Sequence, residues 1–117
     1  MAQMLPETNY RELLLWIFRC RKRLKVIGKS MLPLLEPGTE ILINPNAYQK
    51  LMPKIGDIIV TTHPYHPELS IVKRITAINK DGSYFLTGDN LTESTDSRHW
   101  GSIKLEDIIG QVTSSFN

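Results

Sequence analysis

The sequence predicts a mainly β domain led by one short amphipathic helix. Six short β-prone runs, the Gly, Pro and Asn turn signals between them, and a helix-capping pattern confined to the first twenty residues carry that prediction. At 117 residues there is room for one domain with one modest core. An apolar fraction of 41% and a charged fraction of 22% describe a folded globular chain, not a disordered or fibrous one.

The helix comes first. Asn9 followed by Glu12 reads as a capping box with Pro6 upstream, and good helix formers run from Tyr10 to about Cys20. Leu13, Leu14, Ile17 and Phe18 are expected to form the face that docks on the body. From Leu24 the pattern turns β-like, in the runs Leu24–Ile27, Glu40–Ile43, Asp57–Thr61, Ser70–Ile78, Ser83–Leu86 and Ile108–Thr113. Pro37-Gly38, Asn44-Pro45-Asn46, Pro53, His63-Pro64, Lys80-Asp81-Gly82 and Gly88-Asp89-Asn90 punctuate them. Asp81-Gly82, between two alternating runs, marks a hairpin. The expected division is a helical segment with a basic run over 1–23 and a β-rich domain over 24–117.

The net charge of +2 is unevenly spread. Arg19, Arg21, Lys22, Arg23 and Lys25 hold five of the fourteen basic residues with no acid among them, which leaves nine against twelve acids, a net of −3, elsewhere. The favoured reading is a solvated run that complements a helix C-terminus; anionic lipid or an acidic substrate are the sharper alternatives. No aromatic residues interleave with these charges and no helix-turn-helix pattern follows, so no nucleic-acid partner is expected. Leu13–Phe18 is far shorter than the roughly twenty residues of a spanning helix, and it lacks the flanks of a signal peptide. Cys20 has no partner for an internal disulfide, and a reducing compartment suits the chain. A cytoplasmic location is expected, with weak peripheral membrane contact through residues 13–25 as its variant.

Three segments could carry chemistry. In Gly28-Lys29-Ser30-Met31-Leu32-Pro33 a strand runs into a Gly, a Ser and a Pro, a junction able to present a hydroxyl beside backbone N–H groups, as acyl transfer requires. On its own, a surface turn serine explains it better. Lys73 shares a strand face with Ile71, Ile75 and Ala77, while Arg74 falls on the other with Val72, Thr76 and Ile78. Burial among isoleucines would depress a lysine pKa toward a usable base, whereas a snorkelling side chain would keep its charge in water. Gly88–Gly101 is dense in hydroxyls and turn formers, with Asp96 and Arg98 spaced to pair. His63 and His66 lack a carboxylate or thiol at useful spacing, so a plain loop is expected there and no metal.

Together these segments resemble the signature boxes of the type I signal peptidase family. Ser30-Met31-Leu32-Pro33 is similar to its nucleophile box, Gly56-Asp57-Ile58-Ile59-Val60 to its Gly-Asp strand, and Ile71-Val72-Lys73-Arg74-Ile75 to its lysine box. Gly88 to Gly101 is similar to its Gly-Asp-Asn … Ser-x-Asp-Ser-Arg-x-x-Gly box. The resemblance implies a coiled, mostly antiparallel β catalytic core shared with the LexA repressors, and a serine endopeptidase. By it, Ser30 is the nucleophile, Lys73 the general base, and Ser94 the hydroxyl that orients the lysine. Asp96 and Arg98 form a supporting ion pair, and Met31 and Pro33 contact substrate. The Ser30 N–H supplies one oxyanion donor; at the position where some relatives add a hydroxyl this chain has Gly28. No cofactor is implied.

The compact form, His63-Pro64 and Ser94–Gly101 are most similar to the nickel-type superoxide dismutase maturation proteases. That likeness implies a precursor whose N-terminal pro-segment is removed, the nickel superoxide dismutase pro-form. The alternative is a peripheral signal peptidase acting on exported proteins. A self-cleaving regulator like the LexA repressors would need a DNA-binding domain and an internal Ala-Gly or Cys-Gly site; Cys20 precedes Arg21. A catalytically dead binding module is disfavoured by the intact set of Ser30, Lys73 and Ser94.

Overall fold

A computed structural model describes residues 5–116. One six-stranded antiparallel sheet dominates it, assembled from β1 (Lys22–Lys25), β2 (Glu40–Asn44), β3 (Ile58–Thr62), β4 (Ser70–Ile78), β5 (Tyr84–Thr87) and β6 (Ile108–Phe116). The spatial order is β1-β2-β6-β3-β4-β5. The last strand therefore lies inside the sheet, pairing Glu40–Asn44 on one side and Ile59–Thr61 on the other. β4 and β5 form the expected hairpin, with Gly82 at φ 87° in its turn, a value that a side chain would disfavour.

β3 is the spine of the core because both of its faces are covered. Ile58 and Val60 join Val26, Met31, Leu35, Ile41, Ile43 and Val112 on one side. Ile59 joins Ile75, Tyr84, Leu86 and Ile103 on the other. Period-2 alternation thus sends neighbours of one strand into two separate apolar clusters. Met31 and Leu35, each 1% exposed, pin the loop that carries Ser30 into the first cluster.

The N-terminal helix α1 spans Tyr10–Ile17, shorter than the sequence suggests, with Phe18 at its C-cap and Arg19 following at φ 63°. Asn9 caps it by accepting from the Glu12 N–H, but the Glu12 carboxylate does not return to the cap. It turns inward instead, accepting from Thr113 Oγ1, from Ser114 Oγ at 3.1 Å and from Arg21 Nε at 3.2 Å. That choice rotates the helix. Leu14, Ile17 and Phe18, expected to dock, are 55%, 67% and 74% exposed, and of that set only Leu13 is half-buried. Trp16 docks edge-on to Phe116, with the Arg23 guanidinium over both rings. A buried carboxylate must have its partners, and Glu12 finds them in the Thr113 and Ser114 hydroxyls of β6 and in Arg21.

The basic run does not complement the helix C-terminus. Lys22, Arg23 and Lys25 lie on the edge strand β1, where Arg23 pairs with Glu40, and Arg21, just before it, pairs with Glu12. β1 begins at Lys22, and residues before α1 bond to β6 through Thr8 N–H to the Ser115 carbonyl at 2.8 Å. The N-terminal segment and the sheet thus share strand and hydrogen bonds across the boundary expected at residue 23. No helix among the described residues is long and apolar enough to cross a membrane.

Candidate active site

Ser30 follows β1 in a turn that closes with the Leu32 N–H on the Lys29 carbonyl at 3.2 Å. The next side chain, Met31, is buried, so the Ser30 hydroxyl is held at the surface of the core by its neighbour's packing. Asn90 holds the same turn from the opposite loop: its N–H donates to the Ser30 carbonyl at 2.8 Å, and its Nδ2 to the Lys29 carbonyl at 3.1 Å. Among the described residues the Ser30 N–H has no hydrogen-bond partner. A free backbone donor at a nucleophile is what an oxyanion hole requires. Gly28, two residues earlier, sits at φ 84° and brings no hydroxyl.

Lys73 reaches the same place from β4. It lies opposite Ile59 of β3, is 5% exposed, and lines one cleft of about 270 Å³ with Ser30. Val26, Ile27, Met31, Ile71 and Val72 supply the apolar part of that cleft. The Lys73 Nζ donates to Ser94 Oγ at 3.2 Å, and Ser94 Oγ donates to Asp96 Oδ2 at 2.8 Å. Among the described residues no hydrogen bond joins Ser30 Oγ to Lys73, an open arrangement common to catalytic pairs without substrate. Burial pushes the Lys73 pKa down; the Asp96 carboxylate opposes that and the Arg98 guanidinium adds to it.

Asp96 is fully buried and saturated. Oδ2 accepts from the Gly88 N–H at 2.9 Å besides Ser94, and Oδ1 accepts from Arg98 Nε at 2.9 Å and the Arg98 N–H at 3.1 Å. Burial by itself would raise its pKa, but the Arg98 guanidinium, the Gly88 N–H and the Ser94 hydroxyl hold the carboxyl well below the usual carboxylate range. Asp96 also caps α2 (Ser97–Trp100), which holds this loop in register with β5 through Ser97 Oγ accepting from the Leu86 N–H at 2.8 Å.

Three further residues organise the site without having been assigned a role from sequence. A Cβ at Gly88 would clash with Ser94 Oγ and stand 2.5 Å from the Ser30 carbonyl oxygen, so only glycine lets the two loops meet. Arg74, expected merely on the opposite face, forms a bidentate pair with Asp89 at 2.8 and 3.0 Å and donates to the Gly56 carbonyl at 2.9 Å. In the sequence Gly88, Asp89 and Asn90 stood as a turn signal and as the start of the last signature box, and Arg74 as part of the lysine box, with no pairing expected between them. Pro33, paired in sequence with Met31 as a substrate contact, does not line the Ser30 cleft. It borders a separate depression with Leu34, Glu36 and Phe116.

The geometry sets a hydroxyl, a buried amine with lowered proton affinity and a free N–H donor about one apolar cleft, the parts needed for acyl transfer. The family described as signal peptidase, peptidase S26, matches the chain over residues 12–81 and 79–116. A probable signal peptidase I-1 of Synechocystis sp. is 28% identical over 133 residues, covering 74% of this chain and 66% of that protein. The mitochondrial ATP-independent inner membrane protease subunit 1a of Arabidopsis thaliana is 30% identical over 109 residues, covering 74% and 65%. The mitochondrial inner membrane protease subunit 1 of Schizosaccharomyces pombe is 28% identical over 104 residues, covering 73% and 66%. The chain spans about two thirds of the length of these curated relatives.

Proposed function

The chain belongs to the signal peptidase S26 family, and from that premise we propose that it is a serine endopeptidase that removes a leader segment from precursor proteins, with Ser30 as nucleophile and Lys73 as general base. The observation that supports this most is the cleft itself: Ser30 and a buried, pKa-depressed Lys73 line it together. Neutral Lys73 takes the Ser30 proton as Oγ attacks the scissile carbonyl, and the oxyanion settles on the Ser30 N–H. The Lys73 ammonium then protonates the leaving amine as the C–N bond breaks. Water, deprotonated by Lys73, hydrolyses the resulting ester and frees Ser30. Ser94 keeps the amine oriented between these steps, and Asp96 with Arg98 keeps Ser94 oriented.

Substrate enters as a strand. Among the described residues β5 pairs with β4 only from Arg74 onward, so one edge of Ser70–Lys73 is open, and Val26 and Ile27, which follow the edge strand β1, line the cleft with it. An extended peptide bonds to these edges by strand addition. The apolar cleft walls take small apolar side chains next to the scissile bond. The narrower substrate, a nickel superoxide dismutase precursor, rests on the resemblance of His63-Pro64 and Ser94–Gly101 alone. The relatives, a signal peptidase I and mitochondrial inner membrane protease subunits, favour leader processing more broadly. Contact with a membrane surface fits the same reading, since exposed Leu14, Ile17 and Phe18 lie beside exposed Arg19, Lys22 and Lys25.

Mass spectrometry of an exported preprotein and of a nickel superoxide dismutase precursor, each co-expressed with the protein, tests this. One defined cleavage, abolished in both Ser30→Ala and Lys73→Ala, is expected for the preprotein. Cleavage that survives in either variant would sink the dyad, and cleavage of the dismutase precursor alone would narrow the substrate to it.

A further inference from the structure

His63 follows β3 directly and lines the Ser30 cleft, although in the sequence it stood as a plain loop residue and as half of the His63-Pro64 pair in the resemblance, with no role at the site. Its ring is fixed from several sides. Nδ1 accepts from the Tyr65 N–H at 3.1 Å and from the His66 N–H at 3.2 Å, so the ring proton sits on Nε2. The rings of His66 and Trp100 stand 5.0 and 6.0 Å away, and the His63 N–H donates to the Leu69 carbonyl at 3.0 Å. Among the described residues the Nε2–H donor of this half-buried imidazole has no hydrogen-bond partner, and the ring lines a cleft of mixed polar and apolar character.

The rest of the polar lining matches it. Lys25, Ser70 and Thr95 share the cleft, and among the described residues no carboxylate lines it. In strand register Lys73 faces Ile59 and Ser70 faces Thr62, which sets His63 four positions, about 13 Å along the strands, from the lysine. We infer that His63 is a specificity-determining residue: with Lys25 it selects a substrate side chain that accepts hydrogen bonds, an acidic one best, about four residues from the scissile bond on the side lying along Ser70–Lys73. A fixed donor discriminates in this way because a partner without an acceptor leaves it desolvated and unpaired. The inference rests on the peptide-cleaving reading above and specifies its substrate.

The test separates binding from turnover. Short fluorescein-labelled Ala/Val-rich peptides carry Glu, Gln, Ala or Lys walked through each position; binding is measured by polarisation on Ser30→Ala, and cleavage by mass spectrometry on the wild type. Glu and Gln peptides are expected to bind about tenfold more tightly than the Lys peptide at one position. That ranking should vanish in Ser30→Ala/His63→Ala and return in part in Ser30→Ala/His63→Gln, whose side-chain amide is again a donor. Lys25→Ala should narrow the gap between Glu and Gln while leaving Gln ahead of Ala. An unchanged ranking without the imidazole, or no ranking in the parent, overturns the assignment. Selective binding with no cleavage by the wild type overturns the protease reading and leaves His63 standing; cleavage without positional preference does the reverse.

Discussion

The two faces of β4 bury adjacent cations to almost the same depth, Lys73 at 5% and Arg74 at 7% exposure, and treat them in opposite ways. Arg74 meets Asp89 directly in a two-point pair, so its charge is balanced at contact and it ties β4 to the 88–90 loop. Lys73 meets a neutral hydroxyl, and the nearest carboxylate, Asp96, stands behind that hydroxyl with its charge already claimed by Arg98. A buried cation paired at contact serves as scaffold. One insulated by a hydroxyl feels its desolvation, which is why burial leads the lowering of the Lys73 pKa.

Breaking the scaffold face gives the largest expected effect. Arg74→Met leaves a half-buried Asp89 without its guanidinium partner, and should cost about 3 kcal/mol of unfolding free energy in urea titration. Adding Asp89→Leu should recover most of it, because the orphaned charge then leaves with its partner. Crowding the gap between the faces comes next. Gly88→Ala forces Ser94 and the Ser30 carbonyl apart, and should lower kcat/KM about a hundredfold, roughly 2.7 kcal/mol, with circular dichroism little altered.

Two smaller changes sharpen the contrast on the lysine face. Ser94→Ala removes the group that orients the amine and should cost about tenfold in kcat. It also removes a hydrogen bond to the ammonium, so the acid limb of the pH–rate profile should move further down. In the wild type that limb should lie below the ordinary lysine value near 10.4, with activity lost as pH falls through it; a limb at the ordinary value would contradict burial of the amine. Lys73→Met, inactive, should be more stable than wild type by about 1 kcal/mol at neutral pH, read as a raised Tm. Its sign follows from linkage. The folded protein binds the Lys73 proton more weakly than the unfolded chain, so wild-type stability falls as pH drops below the ordinary lysine value, and the advantage of Met should shrink as pH rises toward it.

Local chemistry was legible in the sequence where few neighbours decide it. Asn9 caps a helix because its own side chain reaches the N–H three residues on, and Gly82 makes the hairpin turn because only glycine adopts its φ without strain. The strand runs followed from period-2 apolar residues, whereas Ser30, Lys73, Ser94, Asp96 and Arg98 were singled out only by their resemblance to the signal peptidase boxes. Tertiary structure alone decided which surfaces meet. The outward turn of Leu14, Ile17 and Phe18 depends on hydroxyls of Thr113 and Ser114, a hundred residues from Glu12. Likewise the need for glycine at 88, the Arg74–Asp89 clamp and the place of His63 at the cleft rim each depend on where a distant loop comes to rest. Periodicity and capping are set by bonds within a few residues, whereas a buried carboxylate or cation takes whichever partner the closed sheet brings to it.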